Sequence, residues 1–271
     1  MAATLVQQAR SSRRQAGPPD RIARNHLEHC DLLAVEIERF AAFVDTASPS
    51  TPVPSCPGWT VDDVAFHLGT VHRWAEHLVR VRAAARIPSS EMGLDEGPAD
   101  GEWIRLGGSA LLGTLRASDP ADSMWAWGSD QHVRFWSRRQ LHETLVHRFD
   151  LEIAEGHRPA AAAHIAADTI DEFLVNLAKA EYFSPKVALL RGRGESIVLR
   201  ATDTGKAWTV RLDPDRFDVL AGEQKATASL SGRAVTMALV LYRRLSLAES
   251  DLDVTGAHGL VEFWIANSAL E

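Results

Sequence analysis

Cysteine is scarce in this sequence, with two residues among 271, Cys30 and Cys56. They form no Cys-x-x-Cys motif, so a disulfide framework is excluded. Two isolated thiols suit a reducing compartment, and we predict a cytoplasmic protein with no disulfide between them. Cys56, within "PSCPGW", is interpreted as a small buried residue in a turn.

Long apolar runs and an excess of basic residues are also absent. No stretch approaches the roughly 20 apolar residues of a membrane span, and "MAATLVQQARSSRRQAGPPDR" lacks the continuous apolar core of a signal peptide. The net charge is −7, with acidic residues spread along the chain, which argues against nucleic acid or an anionic membrane as a partner. We therefore predict neither partner, and a disordered leader over residues 1–20.

Helical periodicity dominates the first half of the chain. Hydrophobic residues make up 45 % of the sequence, enough for a sizeable core. Apolar residues recur every three or four positions over 22–44, 60–85, 102–116 and 138–152. Thr60 and Asp63 have the spacing of a capping box at the start of the second helix, and Pro88 is expected to end it. These segments predict a four-helix bundle over residues 21–160.

The pattern changes after about residue 160. A helix is predicted over 165–182, and short alternating apolar runs on either side of residues 203–206 indicate a β-hairpin. A strand over 226–230, a helix over 233–244 and a last helix from His258 complete the chain. Residues 161–271 are therefore predicted to form a smaller mixed α/β domain, which makes the fold class α+β.

The fourth helical segment, "RRQLHETLVHRFDLE", places three candidate metal ligands close together in sequence. His142 and His147 are five residues apart and diverge by roughly 140° around a helix, so they cannot bind one ion together. Glu143 and His147 are four apart and can bind one ion together. The His-Glu-x-x-His arrangement of zinc proteases is excluded, because its two histidines are four residues apart and these are five apart. The alternative for Glu143 and His147 is a solvated pair just outside the apolar face, which would stabilise the helix by a few tenths of a kcal/mol.

A third ligand would have to come from another helix. The second helix carries His67, His72 and His77. His77 lies nearly opposite the apolar face and is predicted to be solvated, whereas His67 and His72 flank that face on either side. Periodicity does not decide between them, and a histidine beside an apolar face is more often structural than a ligand.

Two motifs connect these residues to a known family. Pro57–Thr60 followed by the His67–Leu68 pair matches one motif, and Glu143, His147 and Asp150 match a Glu-x-x-x-His motif followed by an acid. With these motifs, the chain resembles the mycothiol-dependent maleylpyruvate isomerase family, a branch of the DinB-like metal-binding bundles. The C-terminal "LYRRLSLAESDLDVTGAHGLVEFWIANS" is similar to the end of that family's second domain, so the resemblance covers nearly the whole chain.

The resemblance implies a DinB-like four-helix bundle followed by a sterol-carrier-like α/β domain. It implies that His67, Glu143 and His147 bind zinc or another divalent transition metal. His142 and His72 would then support these ligands or lie at the surface. Arg243 matches a family arginine that would hold a substrate carboxylate, although a solvated cation at a helix end is an equally good interpretation.

The implied activity is that of an isomerase or S-transferase that uses mycothiol on a small activated unsaturated or electrophilic substrate. A metal site with an open position would bind the thiolate of such a co-substrate. Two other functions fit the same residues: a metal-dependent hydrolase that uses bound water, and a non-catalytic, metal-stabilised binding or regulatory protein.

Overall fold

Four long helices form the first part of the fold. The computed structural model describes residues 18–93 and 99–269, so most of the predicted leader lies outside the described residues. The helices are α1 (Pro18–Thr46), α2 (Val61–Val81), α3 (Gly101–Arg116) and α4 (Val133–Ala154). The predicted helical N-terminal region is therefore confirmed, with α1 starting inside the last three residues of the predicted leader. Helix α4 begins earlier than the predicted segment over 138–152, because Val133 is already helical.

The predicted capping box at the start of α2 is present. The Thr60 hydroxyl accepts a hydrogen bond from the Asp63 amide, and the Asp63 carboxylate accepts one from the Thr60 amide at 2.8 Å. The predicted end at Pro88 is wrong, because Arg82 adopts a left-handed φ of 51° and stops the helix after Val81. The Ala83 amide then donates to the Leu78 carbonyl at 3.0 Å, which satisfies one of the last helical carbonyls.

Helix α4 is the central element, and it is buried on nearly all sides. It packs against α1, α2 and α5, so the apolar face expected from the sequence is only part of its buried surface. Most of its buried polar side chains are paired within the protein, Gln140 being an exception. Arg148, for example, donates to Glu36 of α1 at 2.5 Å and also bonds Glu152 one turn further along α4.

The second part of the fold is a mixed five-stranded sheet with three helices. Helix α5 (Ala163–Leu177) leads into β1 (Ser196–Ala201), β2 (Lys206–Leu212), β3 (Phe217–Ala221) and β4 (Ala228–Gly232). They are followed by α6 (Ala234–Leu241), β5 (Asp253–Gly256) and α7 (His258–Asn267). The strand order is β3-β2-β1-β4-β5, and the β1–β4 pair is parallel. The predicted hairpin is β1–β2, whereas β3 and β5 were not predicted.

The two parts share a buried contact that positions the candidate site. Leu145 and Phe149 of α4 pack with Leu239 of α6. About two turns before Leu145 on the same face of α4, Arg138 bonds Asp168 and Asp171 of α5, both at 2.8 Å. Among the described residues, no helix combines the length and apolar character that a membrane crossing requires.

Candidate metal centre

Three side chains from two helices converge beside the start of α2. Nε2 of His67 and Nε2 of His147 each lie 3.4 Å from Oε1 of Glu143. One donor atom from each of the three residues lies within 4.8 Å of the other two. Two ligands bound to one tetrahedral zinc ion at 2.0–2.1 Å are about 3.3 Å apart. The spacing of the histidine and glutamate donors therefore fits a single small divalent ion.

The sequence around the Pro-Gly-Trp motif explains the position of His67. Thr60 starts α2 immediately after the motif, and His67 follows two turns later on the face towards α4. The Trp59 ring lies 5.1 Å from the His67 ring and packs against it. The loop that precedes α2 therefore both starts the helix and supports its metal-directed histidine.

Burial separates this cluster from an ordinary surface pair. The His147 side chain is 10 % exposed, Glu143 is 20 % exposed and His67 is 36 % exposed. The solvated Glu143–His147 pair considered from the sequence is therefore not what the structure contains. The cluster is buried on the α4 side and reachable from solvent on the α2 side, so a small molecule can approach it.

Asp150 fixes the orientation of His147. Nδ1 of His147 donates to Oδ2 of Asp150 at 2.9 Å, so Nε2 is the ring nitrogen that faces Glu143 and that an ion can take up in place of a proton. Burial alone would raise the pKa of Asp150, but His147 and Arg244 outweigh it and hold that pKa far below its usual range. Asp150 is thus a permanently ionised acceptor, which is the partner that a metal-binding histidine requires.

Glu143 is held through its second oxygen. Oε2 of Glu143 accepts a hydrogen bond from Arg139, one turn earlier on α4. Burial alone would raise the pKa of Glu143, but Arg139 and the two imidazoles outweigh it and hold that pKa well below its usual range. The carboxylate is therefore ionised, with Oε1 alone directed at the histidines.

The turn after α6 separates the two arginines of "LYRR". Arg243 has a left-handed φ of 60° and an exposed side chain. The Arg244 amide donates to the Leu239 carbonyl at 2.7 Å, so the chain reverses and turns Arg244 inward. Arg244 then bonds both oxygens of Asp150, at 2.8 and 2.9 Å. Sequence reasoning selected Arg243 and missed Arg244, since the only signal was the pair of adjacent arginines.

Cys56 lies in the predicted turn, but its surroundings differ from the prediction. It is half-buried. Its thiol donates a hydrogen bond to Asp150 at 3.4 Å and accepts one from Arg244 at 3.7 Å. It therefore contacts the residues that support His147. Cys30 is buried elsewhere, and burial raises the pKa of its thiol to about 11. Both cysteines are free, as predicted.

His142 and His72 are buried rather than at the surface, and their hydrogen bonds go to residues other than the three donors. His142 bonds Asp168 at 2.8 Å and Thr169 at 2.9 Å. The Thr144 hydroxyl donates to the Gln140 carbonyl, so Nε2 of His72 must donate to Thr144, at 2.9 Å. Nδ1 of His72 has no hydrogen-bond partner among the described residues. His67, rather than His72, is therefore the α2 histidine that faces Glu143.

Burial of His72 predicts a loss of stability in acid. Desolvation lowers the pKa of His72 from 6.5 to about 3, so only the unfolded state takes up a proton at this residue between those values. The free energy of unfolding should therefore fall as the pH drops below 6.5, by about 2 kcal/mol at pH 5 from this residue alone. We expect His72→Gln, which keeps a donor for Thr144, to remove that part of the pH dependence. Urea unfolding in the presence of a chelator at pH 7.5 and pH 5 measures it.

The matched control is His164→Gln, because His164 is exposed. It should leave the wild-type difference between the two pH values unchanged. A His72→Gln protein that loses as much stability in acid as the wild type would contradict the assignment of a neutral buried imidazole.

Comparison with known proteins supports the family resemblance found in the sequence. Residues 30–152 match the mycothiol maleylpyruvate isomerase N-terminal domain, and residues 162–263 match the C-terminal domain of the same family. The crystal structure of the mycothiol-dependent maleylpyruvate isomerase is similar in fold, with a TM-score of 0.50 and 11 % identity. The structure of a mutant of that enzyme gives a TM-score of 0.51 at 11 % identity.

Each of these two structural matches covers 84 % of this chain and 92 % of the other. At that identity the likeness shows the fold. No curated protein matches the sequence. Since the two family domains together span most of the chain in the order that the family has, the chain belongs to the mycothiol maleylpyruvate isomerase family.

Proposed function

We propose that this protein is a metal-dependent enzyme that uses a small thiol, mycothiol. It would either isomerise a small activated unsaturated substrate or transfer the thiol sulfur to a small electrophilic one. The observation that carries the proposal is the meeting of His67, Glu143 and His147 at one partly exposed point, with His147 oriented by Asp150. Family membership supports the thiol dependence. The proposed substrate class rests on the family, and the proposed metal rests on the donor set of this site.

The donor set fits zinc or a similar divalent ion. Two imidazoles and one carboxylate are a common set for catalytic zinc, and nickel, cobalt or iron accept the same ligands. When bound there, the ion supplies an open position and favours the deprotonated form of a thiol near neutral pH. No cysteine of this chain is needed as the nucleophile, because the thiol belongs to the co-substrate.

The residues around the donors have distinct tasks. Asp150 holds the Nδ1 proton of His147, so that Nε2 keeps its lone pair for the ion. Arg244 neutralises Asp150 and closes the buried side of the site. We propose that Arg243, exposed at the adjacent position, binds a substrate carboxylate by a bidentate contact. The half-exposed His67 marks the side from which thiol and substrate enter.

An assay with a cis-enoyl-pyruvate substrate tests the function. We expect conversion to the trans isomer to require both a divalent metal and added mycothiol, because the proposed nucleophile comes from the co-substrate. Turnover is followed by absorbance with metal alone, thiol alone and both, and thiol binding is measured by calorimetry. Arg243→Gln should raise KM by 10-fold or more, the cost of losing a charged hydrogen bond, whereas Arg158→Gln, at an exposed residue, should not.

The other results identify different functions. Activity with metal and no thiol would contradict the proposal and favour a hydrolase that uses bound water. Metal binding without thiol binding or turnover of any electrophile would favour a non-catalytic, metal-stabilised binding protein.

A further inference from the structure

Helix α4 carries two buried arginines with the same arrangement of partners. Arg139 bonds Glu143 four residues later and Glu172 of α5, the latter at 2.7 Å. Arg148 bonds Glu152 four residues later and Glu36 of α1, the latter at 2.5 Å. Each arginine thus joins a carboxylate of its own helix to a carboxylate of a neighbouring helix. The two arrangements differ in one respect. Arg139 bonds a proposed metal ligand, Glu143, whereas Arg148 bonds none.

The contact with Arg139 limits what Glu143 can offer an ion. Oε2 receives the guanidinium, and Oε1 is the atom that lies 3.4 Å from both histidines. Glu143 can therefore bind an ion through one oxygen while Arg139 stays in place. Single-oxygen binding leaves a position of the ion open, which a thiol-using site requires.

Glu172 determines the position and the effective charge of Arg139. Both side chains are almost fully buried, at 5 % and 2 % exposed, so neither charge is screened by water. Oε1 of Glu172 accepts from Asn176 at 2.9 Å, and Asn176 accepts from the Ser129 amide at 3.0 Å. The Glu172 carboxylate is thus fixed on both oxygens. Without its charge, Arg139 would offset the negative charge that Glu143 presents to a cation.

We infer that Glu172 is a positioning residue for the metal site, which acts through Arg139 to hold Glu143 as a single-oxygen ligand with its full negative charge. The inference rests on the proposed function of the site. It makes metal retention by the α2–α4 cluster depend on α5, a helix that supplies no ligand. A role in stability alone is the alternative, and the Arg148 arrangement offers a matched comparison for it.

Zinc affinity of full-length variants tests the inference. We expect Glu172→Gln to raise the Kd for Zn²⁺ by 10- to 100-fold, the usual effect of losing a group that supports a ligand. Glu36→Gln removes the equivalent carboxylate from the other arginine and should leave the Kd within about twofold of wild type. Competition with a chromophoric chelator measures Kd, and circular dichroism shows that each protein is folded.

A second variant covers the case in which Glu172→Gln does not fold. Arg139→Met with Glu172→Met replaces both buried charges by apolar side chains, which removes the unpaired charge. It should also raise the Kd at least 10-fold, because Oε2 of Glu143 then has no Arg139 to hold its orientation. A Kd within twofold of wild type in either folded variant, with zinc bound tightly by the wild type, would overturn the role of Glu172 and leave the proposed function intact. A wild-type protein that binds no zinc would overturn both.

Discussion

His147→Ala should emerge from purification without bound metal. The substitution removes one of the three donors, the His147 imidazole, whose Nε2 lies 3.4 Å from Oε1 of Glu143. Loss of a group that only supports a ligand weakens binding by 10- to 100-fold, so loss of a ligand should weaken it by more than about 100-fold. Metal content per chain after dialysis, measured by mass spectrometry, reports the result, and metal-dependent turnover should fall with it.

His77→Ala is the control for this experiment, since His77 lies on α2 but contacts Arg80 rather than Glu143. It should retain wild-type metal content. Equal zinc in the wild type and in His147→Ala would show that the ligand assignment is wrong. The interpretation of Glu143 and His67 as ligands would fall with it, because His147 is the most buried of the three donors.

Asp150→Asn should cost about 3–5 kcal/mol of stability even without metal. Asp150 is fully buried. Its carboxylate accepts hydrogen bonds from His147, from Ser55 and from two nitrogens of Arg244. The amide keeps the shape of the side chain but removes the charge, so the Arg244 guanidinium stays buried without a carboxylate. Urea unfolding of the metal-free protein measures the loss. In the folded variant, zinc affinity should also fall by 10- to 100-fold, since His147 loses its orienting acceptor.

Asp218→Asn is the matched substitution at an exposed ion pair. Asp218 of β3 bonds Arg211 at 2.8 Å, and both side chains are at least 30 % exposed. Its loss should cost at most about 1 kcal/mol, as for other surface pairs. If Asp150→Asn were as mild as Asp218→Asn, the buried Asp150–Arg244 pair could not be a main support of this part of the fold.

Local signals in the sequence predicted the parts of the structure that depend on neighbouring residues. The capping box of Thr60 and Asp63 and the β1–β2 hairpin depend on contacts a few residues apart, and both are present. The choice of Glu143 over His142 as the partner of His147 followed from helical geometry, and the structure places Glu143 beside His147. Each of these predictions needed only the geometry of one element or turn.

Contacts between distant residues could not be read in the same way. The Arg139–Glu172 and Asp150–Arg244 pairs join residues 33 and 94 positions apart. No local pattern in one sequence identifies which of many charged residues will meet. For α4, the sequence left open a solvated Glu143–His147 pair, yet pairing allows the charged residues of this helix to be buried. The β3 strand was missed because Phe217–Ala221 is a short edge strand with little alternation.

The pairing of Asp150 with Arg244 also has a consequence for biosynthesis. The ribosome adds Asp150 to the chain 94 residues before Arg244. Until the turn after α6 has emerged, α4 carries a carboxylate that has no guanidinium to meet and an apolar surface, at Leu145 and Phe149, that has no Leu239 to cover it. The helical part of a nascent chain therefore lacks these two contacts until the turn after α6 has been made.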